Sequence, residues 1–133
     1  MTYLLDTNAC IELLSKRDTH IAQKLALITP QAIVVCSVVK AELYHGAYKS
    51  NRRESNLNLL ARFFQRFTSL HFDDNAAEQY GILRAALEKQ GTLIGPNDLL
   101  IASIALTNNV TLVTHNTNEF KRVPGLQMED WQV

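Results

Sequence analysis

Short apolar runs alternate with longer amphipathic segments along the whole chain. Runs rich in Val, Ile and Leu predict strands over residues 2–5, 32–36, 69–72, 111–114 and 126–128, each apolar enough to be buried on both faces. Between them, helical spacing predicts helices over 9–15 and over 19–28, the latter ending before Pro30, and one that starts with Ser37 as its N-cap and runs through Ala47. A fourth over 53–67 carries Leu57, Leu60, Ala61, Phe64 and Phe67 on one stripe. A fifth, capped by Asp73 or Asp74, extends to about Lys89, and a sixth runs from Pro96 to Leu106.

Strands separated by helices imply a mainly parallel sheet covered on both faces. Ligands of such sheets bind beyond the carboxyl ends of the strands, near the point where strand order reverses. The first strand ends on a charge at that edge, in the stretch "YLLDTNAC" that contains Asp6.

Composition narrows the class. The chain has 133 residues, the size of one domain, and 47% of them are hydrophobic, which argues against disorder. The 13 basic and 13 acidic side chains cancel, so a simple basic DNA-binding module is excluded, while a local basic rim around an acidic site is not. No apolar run approaches the roughly 20 residues that cross a bilayer. Cys10 and Cys36 lie in apolar runs, and the N-terminal stretch lacks the pattern of a signal peptide, so both are expected to be reduced core thiols of a cytosolic protein.

The candidate chemistry is acidic. Asp6 ends the first strand, Glu42 follows the second, Asp98 falls in the first turn of the helix opened by Pro96, and Thr114, His115, Asn116 and Glu119 follow the fourth. Taken singly, Asp6 could cap a helix, Asp98 could answer a helix dipole, and Glu42 and Glu119 could be solvated helix residues. Their shared position after successive strands points instead to one site. Carboxylates about 4 Å apart repel by roughly 4 kcal/mol at an effective dielectric of 20, so a proton or a cation must relieve them. An oxygen donor set without a Cys or His pattern favours Mg²⁺ or Mn²⁺. Thr7, Asn8 and Thr114 are placed to support the carboxylates by hydrogen bonds.

At these residues the sequence resembles the PIN-domain proteins, and closely the VapC group of bacterial toxin ribonucleases. The resemblance covers nearly the whole chain through "YLLDTN", "SVVKAELYHGA", "GPNDLLIA", "TLVTHNTNEFKRVPGL" and the closing "EDW". It implies a single PIN domain over 1–133, a three-layer α/β/α sandwich around a mainly parallel sheet of four to five strands. It also implies a magnesium-dependent endoribonuclease of a toxin–antitoxin pair, inhibited by a VapB-type antitoxin. The family's first three acids map to Asp6, Glu42 and Asp98, all three implied as metal ligands and catalytic residues. The fourth position reads Asn116, with Glu119 three residues on, and the sequence leaves open which of the two serves. Cleavage would leave a 5′-phosphate and a 3′-hydroxyl.

VapC proteins ending in this manner resemble those that attack the anticodon region of initiator tRNA, which makes tRNA the expected substrate class. Lys16, Arg17, Lys49, Arg52, Arg53 and Lys89 are candidates for the RNA-binding rim. The resemblance further implies a homodimer and a larger complex with antitoxin. The stripe Leu57, Leu60, Phe63, Phe64 and Phe67 serves either as core or as part of a groove for the antitoxin's tail. Among rival readings, a metal-free ribonuclease would use His45 and His115, neither with an evident orienting partner in the sequence. A haloacid-dehalogenase-type phosphatase expects a second Asp where Asn8 stands. The remaining rival is a PIN module that binds RNA or protein without cleaving.

Overall fold

A computed structural model describes all 133 residues, Met1–Val133. Its five strands are β1 (Tyr3–Leu5), β2 (Ile33–Cys36), β3 (Thr68–Leu70), β4 (Thr111–Val113) and β5 (Met128–Glu129). All pair in parallel, in the order β3-β2-β1-β4-β5. The helices are α1 (Thr7–Ser15), α2 (His20–Ala26), α3 (Ser37–Lys49), α4 (Arg53–Phe64), α5 (Asp74–Gln90), α6 (Pro96–Asn108) and α7 (Thr117–Phe120). The α/β class, the parallel sheet and the PIN-like layering expected from the sequence are all present. No helix is long and apolar enough to cross a membrane.

Chain order explains where the site lies. From β1 the chain steps outward through β2 and β3 on one side, then returns to place β4 and β5 on the other. Strand order therefore reverses beside β1, and the crevice at its carboxyl end is where an open parallel sheet accepts ligands. Tyr3 pairs with both Ile33 and Thr111, so β1 is locked centrally, and its Leu4 and Leu5 are fully buried. Cys10 and Cys36 are free, buried thiols, and burial raises the pKa of both, which leaves them unreactive.

Several boundaries differ from expectation, for local reasons. Residues 71 and 72 drop out of β3 because its partner β2 has already ended at Cys36, opposite Leu70. The last strand shifts to Met128–Glu129, where Met128 faces Leu112 and Glu129 faces Val113. β2 and β4 are buried throughout and β1 at Leu4 and Leu5; β3 and β5 are edges and remain partly exposed. Ser37 is the first helical residue of α3, with no loop between strand and helix, so Cys36 takes the cap position and the Ser37 hydroxyl accepts from the Phe72 N–H at 3.4 Å. Helix α4 ends at Phe64, three residues early. Thr19, expected inside its helix, is instead the N-cap of α2, and the predicted cap Asp73 serves α5; they accept from backbone N–H groups at 3.1 and 2.9 Å.

The stripe on α4 resolves in favour of the core. Leu60, Phe63, Phe64 and Phe67 are buried, and Leu57 packs partly against them. The open apolar groove lies nearby with a different lining: Ile11 and Leu14 of α1, Leu43 and Ala47 of α3, and Leu59 and Leu60 of α4, with Glu42 at its edge.

Helix α7 was not expected, since four residues carry no periodicity. It is anchored by Phe120, one of the largest fully buried side chains. Phe120→Ala is expected to cost about 3–5 kcal/mol in urea unfolding; a loss below about 1 kcal/mol would mean that this turn is not held by the core.

Candidate active site

Asp6 extends the sheet by one residue. Its N–H donates to the Val113 carbonyl at 3.1 Å, and its side chain, 5% exposed, turns into the crevice edge. Oδ1 accepts from the Ala9 N–H at 2.8 Å, so Asp6 is the N-cap of α1, and the Thr114 hydroxyl hydrogen-bonds the same carboxylate. Burial raises its pKa against those two hydrogen bonds, and the charges of Glu42 and Asp130 raise it further. The capping role and the site role fall on one side chain.

Glu42 reaches the same edge from α3. The Thr7 hydroxyl donates to its Oε1 in a short hydrogen bond, and the Asn97 amide donates to its Oε2 at 3.3 Å. Asp98 stands in the first turn of α6, after Pro96, where unpaired N–H groups and the helix dipole favour a negative charge. Glu119 arrives from α7. Its Oε1 accepts from the Gly95 N–H and its Oε2 from the Asn116 amide, each at 2.6 Å. The Asn116 N–H in turn donates to the Thr114 hydroxyl at 3.0 Å.

Asp98 and Glu119 divide one proton between them. Burial, the hydrogen bond to Glu119, that residue's charge and the fields of Glu42 and Asp6 push Asp98 up to about 7. Burial would also raise Glu119, but the Gly95 N–H, the Asn116 amide, the Asp98 hydrogen bond and the charge of Arg122 hold it below the ordinary value. Near neutrality Glu119 is the ionised member and Asp98 the proton carrier.

No basic side chain forms an ion pair with the cluster, and Arg122 reaches Glu119 only through its field. The ion pairs of the protein are Lys16–Glu12, Arg84–Glu88 and His115–Asp130, none of which includes Asp6, Glu42, Asp98 or Glu119. Nor do any three His, Cys, Asp or Glu side chains stand in a ready-made coordination shell. The two observations are compatible, because charge acts over longer distances than a coordination bond. An all-oxygen donor set without an ion-paired base fits Mg²⁺ or Mn²⁺, which keep several waters and need only one or two protein carboxylates.

The structure thus gathers Asp6, Glu42, Asp98, Glu119, Asn116, Thr7 and Thr114 at one edge. It leaves Asn8 exposed, with no side-chain hydrogen bond. Of the predicted basic rim, Lys16 pairs with Glu12 at 3.4 Å, Arg53 donates to the Tyr48 carbonyl at 3.0 Å, and Arg52 and Arg53 line an open polar cleft at the start of α4 with Arg62. Arg17, Lys49 and Lys89 are exposed, and none of the six candidates contacts the carboxylates.

Three site residues escaped the sequence reading. Asn97 and Gly95 sit within "GPNDLLIA", where only their neighbour Asp98 carries an obvious signal. Asp130 sits in the closing "EDW", and through it the expectation that neither histidine has an orienting partner is overturned for His115, whose Nδ1 lies 2.9 Å from Asp130 Oδ2. His45 lines a cleft with Glu42 and Asn97 and has no such partner.

The PIN domain family model matches residues 3–126. The chain belongs to the PIN-domain family. Within it, the chain is similar to ribonuclease VapC2 of Rickettsia felis, with 42% identity over 98% of each chain, and to the tRNA(fMet)-specific endonuclease VapC of Salmonella typhimurium, with 37% over 98% of each. Among solved structures, this PIN chain is similar to VapBC2 of R. felis bound to a DNA fragment from its promoter (TM-score 0.92, 41% identity, 98% and 99% covered) and to DNA-bound VapBC of S. typhimurium (TM-score 0.93, 37%, 98% of each). Its relatives are thus VapC ribonucleases, crystallised in VapBC complexes.

The raised Asp98 has a consequence for stability. Its folded pKa of about 7 exceeds the ordinary 3.8, so the folded protein holds the extra proton between those values and loses stability as pH rises through that window. In metal-free buffer, Asp98→Asn is expected to melt at a higher temperature than wild type at pH 8 and at the same temperature at pH 4. A difference between the two proteins that did not change with pH would contradict the assignment.

Proposed function

We propose that this PIN-domain chain is the toxin of a toxin–antitoxin pair: a Mg²⁺-dependent endoribonuclease of the cytoplasm, held inactive by a VapB-type antitoxin. The observation that carries the reading is the convergence of Asp6, Glu42, Asp98 and Glu119, from four separate segments, with no ion pair to any of them. Mn²⁺ fits the same donor set. The similarity to a tRNA(fMet)-specific endonuclease supports tRNA as substrate, with the anticodon region of initiator tRNA as the cut site.

Asp6 and Asp98 would hold the ion most directly, with Glu42 and Glu119 completing the negative shell. A bound Mg²⁺ supplies positive charge for the phosphoryl oxygens and an acidified water. Glu42, fixed by Thr7 and Asn97, aligns the attacking water and takes up its proton. Asn116 and the Gly95 N–H keep Glu119 ionised and in place, and Thr114 orients Asp6. Attack by water, without the 2′-hydroxyl as nucleophile, leaves a 5′-phosphate and a 3′-hydroxyl.

Inhibition follows from the same charge deficit. The groove between α1, α3 and α4 is apolar and meets the site at Glu42, so an antitoxin tail anchored there places a Lys or Arg against the carboxylates, in place of the ion. The similarity to VapBC structures supports a toxin–antitoxin complex as the working assembly, within which the toxin is a homodimer.

Purified protein is expected to cleave tRNA with Mg²⁺, to stop in EDTA, and to leave 5′-phosphate ends. Asp6→Asn should lower the rate at least about a hundredfold and reduce the rise in melting temperature on adding Mg²⁺. Cleavage that survives EDTA, or that yields 2′,3′-cyclic phosphate, would sink the metal reading.

A further inference from the structure

One hydrogen-bonded pair at the sheet edge has no part in the chemistry above. The Thr114 N–H donates to the Glu129 carbonyl at 3.0 Å, which brings residues 115 and 130 side by side just past the ends of β4 and β5. There Asp130 Oδ2 meets His115 Nδ1 at 2.9 Å, and Asp130 Oδ1 accepts from the Gln132 N–H at 2.9 Å. The Asp130 side chain is 18% exposed and fixed on both oxygens, whereas the His115 ring is 59% exposed and bonded only through Nδ1. A solvent-facing pair of this kind adds little stability, but a carboxylate on Nδ1 fixes the ring and leaves Nε2 as the outward-facing nitrogen.

The surroundings offer room for a flanking nucleotide. His115 lies between Thr114 and Asn116, whose N–H bonds the Thr114 hydroxyl and whose amide holds Glu119, so the pair adjoins the carboxylate site. On its other side a cleft of about 510 Å³ opens between α2 and the C-terminal segment, with His20, Gln23 and Lys24 on one wall. The cleft is completed by Glu129, which accepts from the Trp131 indole N–H at 2.9 Å, by Asp130, and by Leu27, Trp131 and Val133. Lys24, the Gln23 amide, the His20 ring and this apolar surface face a space of the size that holds small-molecule ligands, enough for one nucleotide.

We propose that His115, held by Asp130, binds a backbone phosphate of the RNA next to the scissile one and directs the flanking nucleotide into the cleft between α2 and the C-terminal segment. His115 is then a substrate-contacting residue and Asp130 a positioning residue. As imidazolium, the ring donates through both nitrogens, to Asp130 and to the phosphate. The inference rests on the ribonuclease reading and names where its substrate lies.

The test measures RNA affinity in EDTA by fluorescence anisotropy on a tRNA, with Mg²⁺-dependent cleavage kinetics run beside it. His115→Ala is expected to weaken binding about tenfold and to raise KM for RNA with kcat within about twofold. Asp130→Asn should do the same to a smaller degree, and His115→Gln, which keeps a neutral donor, should recover part of the loss. Both alanine and asparagine variants should melt near the wild-type temperature. If wild type cleaves RNA while His115→Ala binds and cleaves it as well as wild type does, this inference alone is overturned. Wild type that neither binds nor cleaves RNA overturns the ribonuclease reading and this inference together.

Discussion

Repulsion among four carboxylates at the carboxyl edge of the sheet is the constraint around which this protein is built. Asp6, Glu42, Asp98 and Glu119 reach that edge from β1, α3, α6 and α7, so the charges meet only when the fold is complete. The fold tolerates them through small, distributed compensations: a backbone N–H each for Asp6 and Glu119, hydroxyls from Thr7 and Thr114, amides from Asn97 and Asn116, and the N-terminus of α6 around Asp98. These lower the cost without removing it, and the elevated Asp98 is the remainder. A folded protein with an unrelieved cluster of like charges is primed for a cation.

That deficit ties catalysis and inhibition to a single variable. The ion that would activate water and the basic side chain that would silence the enzyme compete for the same negative charge. The apolar groove beside Glu42 gives a protein inhibitor a means of delivery that a free ion lacks. Residues that hold the carboxylates in place, such as Asn116 and Asn97, therefore bear on both states.

Much of this was legible in the chain, because the acids interrupt apolar patterns. Asp6 breaks a strand that would otherwise run on, and Asp98 sits between Pro96 and a long apolar helix. How Asn116 and Glu119 sit together was not legible. It depends on Gly95, 24 residues from Glu119, whose N–H fixes the glutamate, while Asn116 serves as its partner. The ends of β3 and β5 were equally hidden, since a strand's length is set by where its neighbour stops. The aromatic stripe of α4 could be read as apolar but not as covered; only the packing of α3 and α4 makes it core and moves the open groove to Leu59 and Ile11. Likewise, no local pattern links His115 to Asp130, which adjacent strand ends bring together.

The central claim is that the carboxylates form one electrostatic unit awaiting a cation. It is tested most directly by following the side-chain carboxyl carbons of Asp98 and Glu119 by NMR as pH is varied, with and without Mg²⁺. The account predicts that metal-free Asp98 titrates near pH 7, with Glu119 below its ordinary range, and that Mg²⁺ brings Asp98 down by well over a unit. An Asp98 that titrates near 3.8 and ignores Mg²⁺ would contradict it.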